Sequence, residues 1–215
     1  MHWYNSHMLT LAISRGRIWE EAVPLLRALG LAPDEAAQNT RQLIIPTEDS
    51  NVRLLQVRAQ DAPSYVACGA AQAGIAGRDV LAERRMGEII CPIDLQIAKC
   101  RLVAAAPSGR GELPSAPTVA TKYPNLTRAH FAGRGIAADI IKLHGALELA
   151  PLVGVADMIV DLVKTGRTLQ ENGLEETETI MPVSAMFVIN RIAARRCPEV
   201  AGLQARIAAH IAASS

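Results

Sequence analysis

Short apolar runs alternate along the chain with segments whose apolar residues recur at helical spacing. Residues 9–14 (LTLAIS) have the length and aliphatic character of a buried strand, and residues 18–29 repeat apolar side chains every three or four positions. Gly30 follows that second segment, at a position where helices commonly end. The succession continues to an amphipathic segment at residues 198–213. Alternation of this kind predicts an α/β protein built on a mostly parallel sheet.

The composition restricts both the core and the choice of partners. Half of the residues are hydrophobic but only 3% are aromatic, so the core must consist mainly of Ala, Val, Ile and Leu. The formal net charge is +1, which provides no overall basic field for nucleic acid or for an anionic membrane surface. A binding site for an anion must therefore be local.

The cysteines and the first residues indicate a cytoplasmic protein. Residues 1–8 lack the apolar stretch of a signal peptide, and no apolar run reaches the roughly 18 residues that a membrane span needs. None of the four cysteines forms a C-x-x-C pair or a His/Cys cluster with zinc spacing, which favours reduced thiols over the alternative of a disulfide. The four are Cys68, Cys91, Cys100 and Cys197.

A change in composition indicates two domains. Residues 107–117 (PSGRGELPSAP) are rich in Pro, Gly and Ser. This composition is typical of a loop or of the edge of a domain. From there to about residue 178 the chain has its own succession of strand-like and helix-like segments. We therefore expect the middle of the chain to be inserted between two parts of a first domain.

The most informative segment is residues 157–169 (DMIVDLVKTGRTL). Its apolar residues predict a buried strand at 158–163, and strand periodicity places Asp157 and Asp161 on one face. A carboxylate near the carboxyl end of such a strand is suited to accept hydrogen bonds from the hydroxyl groups of a sugar, since open α/β sheets bind their ligands at that end.

The loop after this strand combines the residue types that bind phosphate. Gly166 lets the backbone approach an anion, Thr165 and Thr168 offer hydroxyl donors, and Lys164 and Arg167 supply positive charge. The start of the following helix adds N–H groups and the positive end of a dipole. On spacing alone, an ordinary turn with a threonine cap explains the pattern T-G-x-T at least as well.

Four separate stretches resemble the ATP phosphoribosyltransferase family. Residues 142–174 (KLHGALELAPLVGVADMIVDLVKTGRTLQENGL) resemble its phosphoribosyl-pyrophosphate-binding signature, and residues 11–18 (LAISRGRI) resemble its N-terminal ALPKGRL. Two further motifs of the family are matched by residues 58–81 (RAQDAPSYVACGAAQAGIAGRDVL) and 121–125 (TKYPN). Because the motifs occur in the family's order, the resemblance favours the phosphate loop over the ordinary turn.

The resemblance assigns roles to the loop and to the acids beside it. Asp157, Asp161 and Glu148 would contact the ribose hydroxyls, although Glu148 also suits a solvated helix face. The 5′-phosphate of phosphoribosyl pyrophosphate would be held by Thr165, Gly166, Arg167, Thr168 and Leu169.

The resemblance also implies cationic residues from the first domain. Arg17 and Arg41 are the catalytic residues expected at the departing pyrophosphate, because the guanidinium fork pairs bidentately with phosphate oxygens. The family usually has lysine in place of Arg15, so the contact made by Arg15 stays open. Further substrate contacts are expected from Arg15, Gly16, Arg58 and Asp79, and Asp79 suits a helix cap as well.

The implied reaction is displacement of pyrophosphate from C1 of the ribose by N1 of the ATP adenine, the first step of histidine biosynthesis. No covalent enzyme intermediate is needed, so catalysis consists of aligning two anionic substrates and stabilising the leaving group. Mg²⁺ is expected to bind mainly through the substrate and water.

The implied fold has two α/β domains like those of type II periplasmic binding proteins, with the active site in the cleft. Domain I would comprise residues 9–104 and 180–215, and domain II residues 105–179. The sequence has a single helix past residue 190, as in the family's short form. The short form implies catalytic homodimers within a hetero-octamer that contains a regulatory subunit resembling histidyl-tRNA synthetase.

Two other functions stay open at this point. A phosphoribosyltransferase that uses a different base is one, and the R-G-R block at residues 15–17 argues against it. A solute-binding or effector-sensing module is the other, because such proteins share this fold. The lack of a signal peptide argues against an exported binding protein, and the phosphate loop argues against an amino-acid sensor.

Overall fold

The structure, a computed structural model, describes residues 8–38, 42–109, 111, 112 and 114–213. Within these residues the chain forms two compact units. Unit 1 comprises residues up to 81, 85–98 and those from 184 onward, and unit 2 comprises 82–84 and 99–183.

Strands and helices alternate through the described residues, as the apolar pattern predicts. The strands are β1 (Leu9–Ser14), β2 (Ile44–Pro46), β3 (Val52–Val57), β4 (Ala73–Gly77), β5 (Ile89–Asp94), β6 (Cys100–Pro107), β7 (Thr118–Thr121), β8 (Asp139–Lys142), β9 (Met158–Val163), β10 (Leu174–Val183) and β11 (Ala185–Asn190). The helices are α1 (Arg17–Ala28), α2 (Glu35–Gln38), α3 (Ala62–Ala67), α4 (Arg78–Arg84), α5 (Pro124–Gly133), α6 (Leu149–Leu152), α7 (Arg167–Glu171), α8 (Ala193–Arg196) and α9 (Pro198–Ala213).

Unit 1 is built on a six-stranded sheet in the order β2-β3-β1-β4-β11-β5. Strand β1 is parallel to both β3 and β4, whereas β2, β11 and β5 join by antiparallel pairing. Alternate residues of β1 lie on opposite faces of the sheet. Leu11 and Ile13 pack with α1 and α9, and Ala12 packs with Val66 of α3. Helices therefore cover both faces of the sheet.

Unit 2 is built on a five-stranded sheet in the order β10-β6-β9-β7-β8. Strand β7 is parallel to β8 and β9, whereas β6 is antiparallel to β9 and β10. Ile159 and Val163 of β9 pack with Leu169 of α7 on one face, and Val160 packs with Phe131 of α5 on the other. Both cores are mainly aliphatic, in agreement with the low aromatic content.

Four sequence-based expectations about local structure are wrong. Past residue 190 the chain forms two helices, α8 and α9, and not the single helix expected. Both sheets are mixed rather than mostly parallel. The apolar pattern of residues 179–190 predicts a single strand, but these residues belong to two strands of different sheets that separate at Ser184. Asp79 does not occupy the cap position of α4, since Gly77 does and Asp79 lies within the first turn.

Among the described residues, no helix is both long and apolar enough to cross a membrane.

Candidate active site

Unit 2 has a cavity of about 160 Å³ beside the loop that joins β9 to α7. It is lined by the consecutive residues 161–169 and by Glu148, which precedes α6. Among the lining residues are seven of the site residues that the sequence predicts: Glu148, Asp161, Thr165, Gly166, Arg167, Thr168 and Leu169. The structure therefore brings the predicted loop and two of its three predicted acids together.

The loop backbone presents N–H groups to whatever occupies the cavity. Gly166 has φ 82° and ψ −3°, a left-handed conformation that a residue with a Cβ rarely adopts. Arg167 begins α7, and its N–H donates to Thr165 Oγ1 at 3.5 Å. Within the part of the chain that the structure describes, no protein group accepts from the N–H groups of Thr165, Gly166, Thr168 or Leu169. Such donors favour an anion.

The side chains of the loop do different things. Arg167 is exposed and its Nε donates to Glu171 Oε1 at 2.7 Å, so its guanidinium lies along the outside of α7. Leu169 is buried in the core with Ile159 and Val163, and it anchors the loop to the sheet. Thr165 and Thr168 are exposed, which leaves their hydroxyl groups available to a ligand.

Asp161 is a largely buried acid at the edge of the cavity. Its Oδ1 accepts from Lys122 Nζ at 3.0 Å and from the Leu162 N–H at 2.7 Å, and its side chain is 15% exposed. Burial raises the pKa of Asp161, and the negative charge of Glu148 adds to this effect. The charge of Lys122 and the hydrogen bonds from Lys122 and Leu162 act in the opposite direction without cancelling it. Two carboxylates at one cavity favour a ligand that brings hydroxyl donors or a cation.

Lys122 is a residue that the sequence reasoning missed. It follows β7, which is parallel to β9, and this pairing brings its ammonium group to Asp161. The available signal was its place in the stretch TKYPN, where a charged residue directly follows an apolar strand.

Asp157 does not lie at the cavity, contrary to the expectation from the sequence. It directly precedes β9, where its Oδ2 accepts from the Thr118 N–H at 2.9 Å and its own N–H donates to the Thr118 carbonyl at 2.8 Å. Asp161 is four positions after Asp157 along the strand, a distance of roughly 13 Å. Strand periodicity places Asp157 and Asp161 on one face. Asp157, however, lies at the end of β9 that is distant from the cavity, where it hydrogen-bonds to Thr118 of β7.

Unit 1 gathers its predicted site residues at one edge of its own sheet. Arg15 and Gly16 follow β1, Arg58 follows β3, and Asp79 comes shortly after β4. These three strands are parallel, so their carboxyl ends meet at the edge where α/β sheets bind ligands. Arg15 and Arg58 are exposed, whereas Asp79 is buried.

The backbone around Arg17 places this residue at the start of α1. Gly16 has φ 78° and ψ −142°, which turns the chain sharply from β1 into the helix. The Arg17 side chain is 34% exposed, and its Nη2 donates to the Ala98 carbonyl at 2.7 Å. A guanidinium has five N–H donors, so others stay available to an anion. Arg41, the second predicted catalytic residue, lies outside the described residues.

A family model for ATP phosphoribosyltransferase matches residues 58–209. Among curated proteins, the ATP phosphoribosyltransferase of Neisseria gonorrhoeae (strain ATCC 700825 / FA 1090) is 52% identical over 190 residues, which are 86% of each chain. The matched segment contains the loop and the acids of the cavity.

Two solved structures resemble the fold. One is the ATP phosphoribosyl transferase (HisG:HisZ) complex from Thermotoga maritima, with a TM-score of 0.81, 33% identity, and coverage of 95% of this chain and 98% of that one. The other is Tv2483 bound to L-arginine, with a TM-score of 0.53, 15% identity, and coverage of 97% and 84%. At 15% identity the second likeness concerns the fold alone.

Proposed function

The chain belongs to the ATP phosphoribosyltransferase family, and we propose that the cavity beside residues 164–169 binds the sugar phosphate of phosphoribosyl pyrophosphate. The enzyme transfers the phosphoribosyl group to ATP in histidine biosynthesis. The observation that carries the proposal is that seven of the predicted site residues line one cavity. The ordinary-turn alternative gives no reason for Glu148, which precedes α6 and belongs to another segment of the chain, to line the same cavity.

The 5′-phosphate is assigned to the loop backbone. The N–H groups of Thr165, Gly166, Thr168 and Leu169 have no acceptor among the described residues, and Gly166 between them is left-handed. Thr165 and Thr168 add hydroxyl donors. The Arg167 guanidinium can exchange its contact with Glu171 for one with the phosphate. Both side chains of that ion pair are exposed, and exposed ion pairs are weak.

The ribose hydroxyls are assigned to Asp161 and Glu148. A buried carboxylate gains most from hydroxyl donors, since each one replaces the water that burial removed. Lys122 holds the Asp161 side chain in one orientation. A negative charge at this position also favours the positive charge that develops on the ribose as pyrophosphate leaves.

Leaving-group stabilisation is assigned to unit 1. Arg17 stands at the start of α1, and Arg15 and Arg58 follow neighbouring parallel strands. The transfer needs no protein nucleophile, because N1 of the adenine displaces pyrophosphate from C1 of the ribose. The contribution of these residues is therefore alignment and charge.

We assign Mg²⁺ to the pyrophosphate of the substrate rather than to a protein cage. Mg²⁺ keeps several waters and binds through substrate phosphates with one or two carboxylates. Glu148 and Asp161 are two carboxylates at the cavity that fit this need. Within the described residues, no group of three or more His, Cys, Asp or Glu side chains could hold a metal ion.

We further propose that the chain works as a homodimer within a hetero-octamer that includes a regulatory subunit resembling histidyl-tRNA synthetase. The support is the likeness to the Thermotoga maritima structure, whose title describes a HisG:HisZ complex. The cytoplasm is the proposed place of action, because the substrates ATP and phosphoribosyl pyrophosphate are cytoplasmic metabolites.

The glycines at the two ends of α7 provide a matched test of the phosphate loop. Gly166 and Gly173 both have left-handed backbone, and a Cβ would meet only Val163 Cγ1 at 3.9 Å at the first and nothing within 4 Å at the second. Each alanine substitution should therefore cost a similar strain, about 1–2 kcal/mol. Gly166→Ala should raise the Kd for phosphoribosyl pyrophosphate at least about tenfold, while Gly173→Ala should leave it near the wild-type value.

Calorimetric titration and thermal unfolding measure the two quantities separately. Similar melting temperatures with a selective loss of phosphoribosyl pyrophosphate binding in Gly166→Ala are expected. Equal Kd values for the two variants would show that the loop does not hold the sugar phosphate.

A further inference from the structure

An ion pair between an arginine and a glutamate contacts Lys164, the first residue of the loop at 164–169. Arg101 is on β6, where its pairing partner on β9 is Val163, the last residue before the loop. Its Nε and Nη2 donate to both carboxylate oxygens of Glu176 on β10, at 2.6 to 3.1 Å. Its third nitrogen, Nη1, donates to the backbone carbonyl of Lys164 at 3.3 Å. One guanidinium therefore joins β10 to the start of the loop.

The orientation of this guanidinium is fixed from several sides. Glu176 also accepts from Thr179 Oγ1 at 2.8 Å, which holds the carboxylate in place. The hydrogen bond from Arg101 lowers the pKa of Glu176, so the pair is ionic at neutral pH. A planar group held by two parallel hydrogen bonds has little freedom to turn. Its remaining donor must then point at a defined place, the Lys164 carbonyl.

Because the peptide bond is planar, an interaction that fixes the Lys164 carbonyl also fixes the N–H of Thr165. In a trans peptide the carbonyl and the N–H of the next residue point in opposite directions. The Lys164 carbonyl points toward Arg101, so the N–H of Thr165 points away from it. Lys164 and Thr165 both line the cavity, and the Thr165 N–H has no acceptor among the described residues. Arg101 thus sets the direction of the first donor of the loop.

We propose that Arg101, held by Glu176, is a positioning residue that orients the Lys164–Thr165 peptide for binding of the sugar phosphate. It acts through the loop and touches no substrate itself. The proposal rests on the assignment of the 5′-phosphate to residues 165–169. It predicts an effect on phosphoribosyl pyrophosphate that is separate from any effect on folding or on ATP.

A second ion pair on the same strand supplies the control. Glu178 of β10 pairs with Arg134 and lies 3.0 Å from His130 Nε2, on the side of α5. β10 has an irregularity between Glu176 and Glu178, so the two acids face different elements. Neither Arg134 nor Glu178 lines the cavity. Arg134→Met therefore removes a comparable ion pair from the same unit without touching the loop.

The experiment compares Arg101→Met, Glu176→Gln and Arg134→Met, with methionine chosen because it keeps an apolar stem similar to that of arginine. Steady-state pyrophosphate release is measured with either substrate varied, together with the melting temperature. Arg101→Met should raise the KM for phosphoribosyl pyrophosphate about tenfold, since one charge-assisted hydrogen bond is misdirected. The KM for ATP should stay unchanged, and Glu176→Gln should act in the same direction with a smaller factor. Arg134→Met should lower the melting temperature to a similar degree and leave both KM values unchanged.

The outcomes separate the positioning role from the loop assignment. If Arg101→Met and Glu176→Gln leave the KM for phosphoribosyl pyrophosphate unchanged while Gly166→Ala raises it, the positioning role is wrong and the loop assignment holds. If Gly166→Ala also has no effect, the loop assignment itself is wrong. If Arg134→Met changes the kinetics as much as Arg101→Met does, the pair has only a structural role. Should Arg101→Met fail to fold, the milder Glu176→Gln decides by the same criteria.

Discussion

Replacing Arg17 with alanine should lower the turnover number about 100- to 1,000-fold, the usual effect of removing one preorganised donor from a developing negative charge. The KM for ATP should change far less, because the interaction strengthens only as pyrophosphate departs. Arg17 is suited to this role since it begins α1 directly after the turn at Gly16. Steady-state kinetics with each substrate varied at saturating levels of the other gives both quantities.

The control for Arg17 follows from its structural partner. Arg17 donates to the Ala98 carbonyl, and Glu21 accepts from the Ala98 N–H at 2.6 Å, so both side chains hold the same residue. Ala98 needs this support because its backbone is left-handed, with φ 52°. Glu21→Ala should lower stability like Arg17→Ala but keep turnover near the wild-type value. Equal losses of turnover in the two variants would mean that Arg17 only supports Ala98.

Replacing Asp161 with asparagine should lower kcat/KM for phosphoribosyl pyrophosphate about 100-fold, which corresponds to ~2.7 kcal/mol of transition-state stabilisation. The amide keeps the shape of the side chain but loses the charge that ribose hydroxyls and the developing positive charge need. At pH 7 the melting temperature should stay the same or increase. Lower activity without lower stability is expected when the replaced residue is needed for activity but destabilises the fold.

The pH dependence of stability follows from the raised pKa of Asp161. Burial favours the protonated form in the folded chain, so this group contributes most to stability below the ordinary carboxyl pKa. The contribution is lost as the pH rises through the raised pKa of the folded chain. Asparagine does not titrate, so the free energy of unfolding of Asp161→Asn, relative to wild type, should increase over this interval. Denaturant titrations at several pH values measure it.

Asp157 is the comparison residue for Asp161, because both acids belong to the same strand segment and share a face. Asp157 accepts a backbone hydrogen bond from Thr118 at the far end of β9. Asp157→Asn should therefore leave kcat/KM nearly unchanged and affect mainly stability. A large kinetic loss in Asp157→Asn, with little in Asp161→Asn, would reverse the assignment of the two acids.

Local sequence patterns predicted the strands and helices well where one apolar run makes one element. β1, β9 and α9 begin and end where the pattern predicts. Residues 179–190 show the limit, since their apolar pattern continues past Ser184 while β10 and β11 join different sheets. Sheet membership depends on partners far away in sequence, and so does the direction of neighbouring strands. This is why a mostly parallel sheet was expected and two mixed sheets were found.

The candidate site could be predicted to the extent that it is continuous in sequence. Residues 164–169 are consecutive, and their types together with the family resemblance predict a phosphate-binding loop. Strand periodicity could not distinguish Asp157 from Asp161 as substrate-binding acids. It predicts the face of the strand on which a residue lies, and not which end of the strand lies at the cavity. Lys122 and Arg101 were missed, since their positions depend on the pairing of β7 and β6 with β9. The signal for Lys122 was a charged residue directly after an apolar strand, and the signal for Arg101 was a charged residue at the second position of one.

A crystal structure of the chain with bound phosphoribosyl pyrophosphate would show directly which residues hold the sugar phosphate. We predict that oxygens of the 5′-phosphate lie about 3 Å from backbone nitrogens of residues 165–169, the distance of an N–H···O hydrogen bond. The ribose hydroxyls should face Asp161. A sugar phosphate bound at another place in the chain, with residues 165–169 empty, would contradict the account.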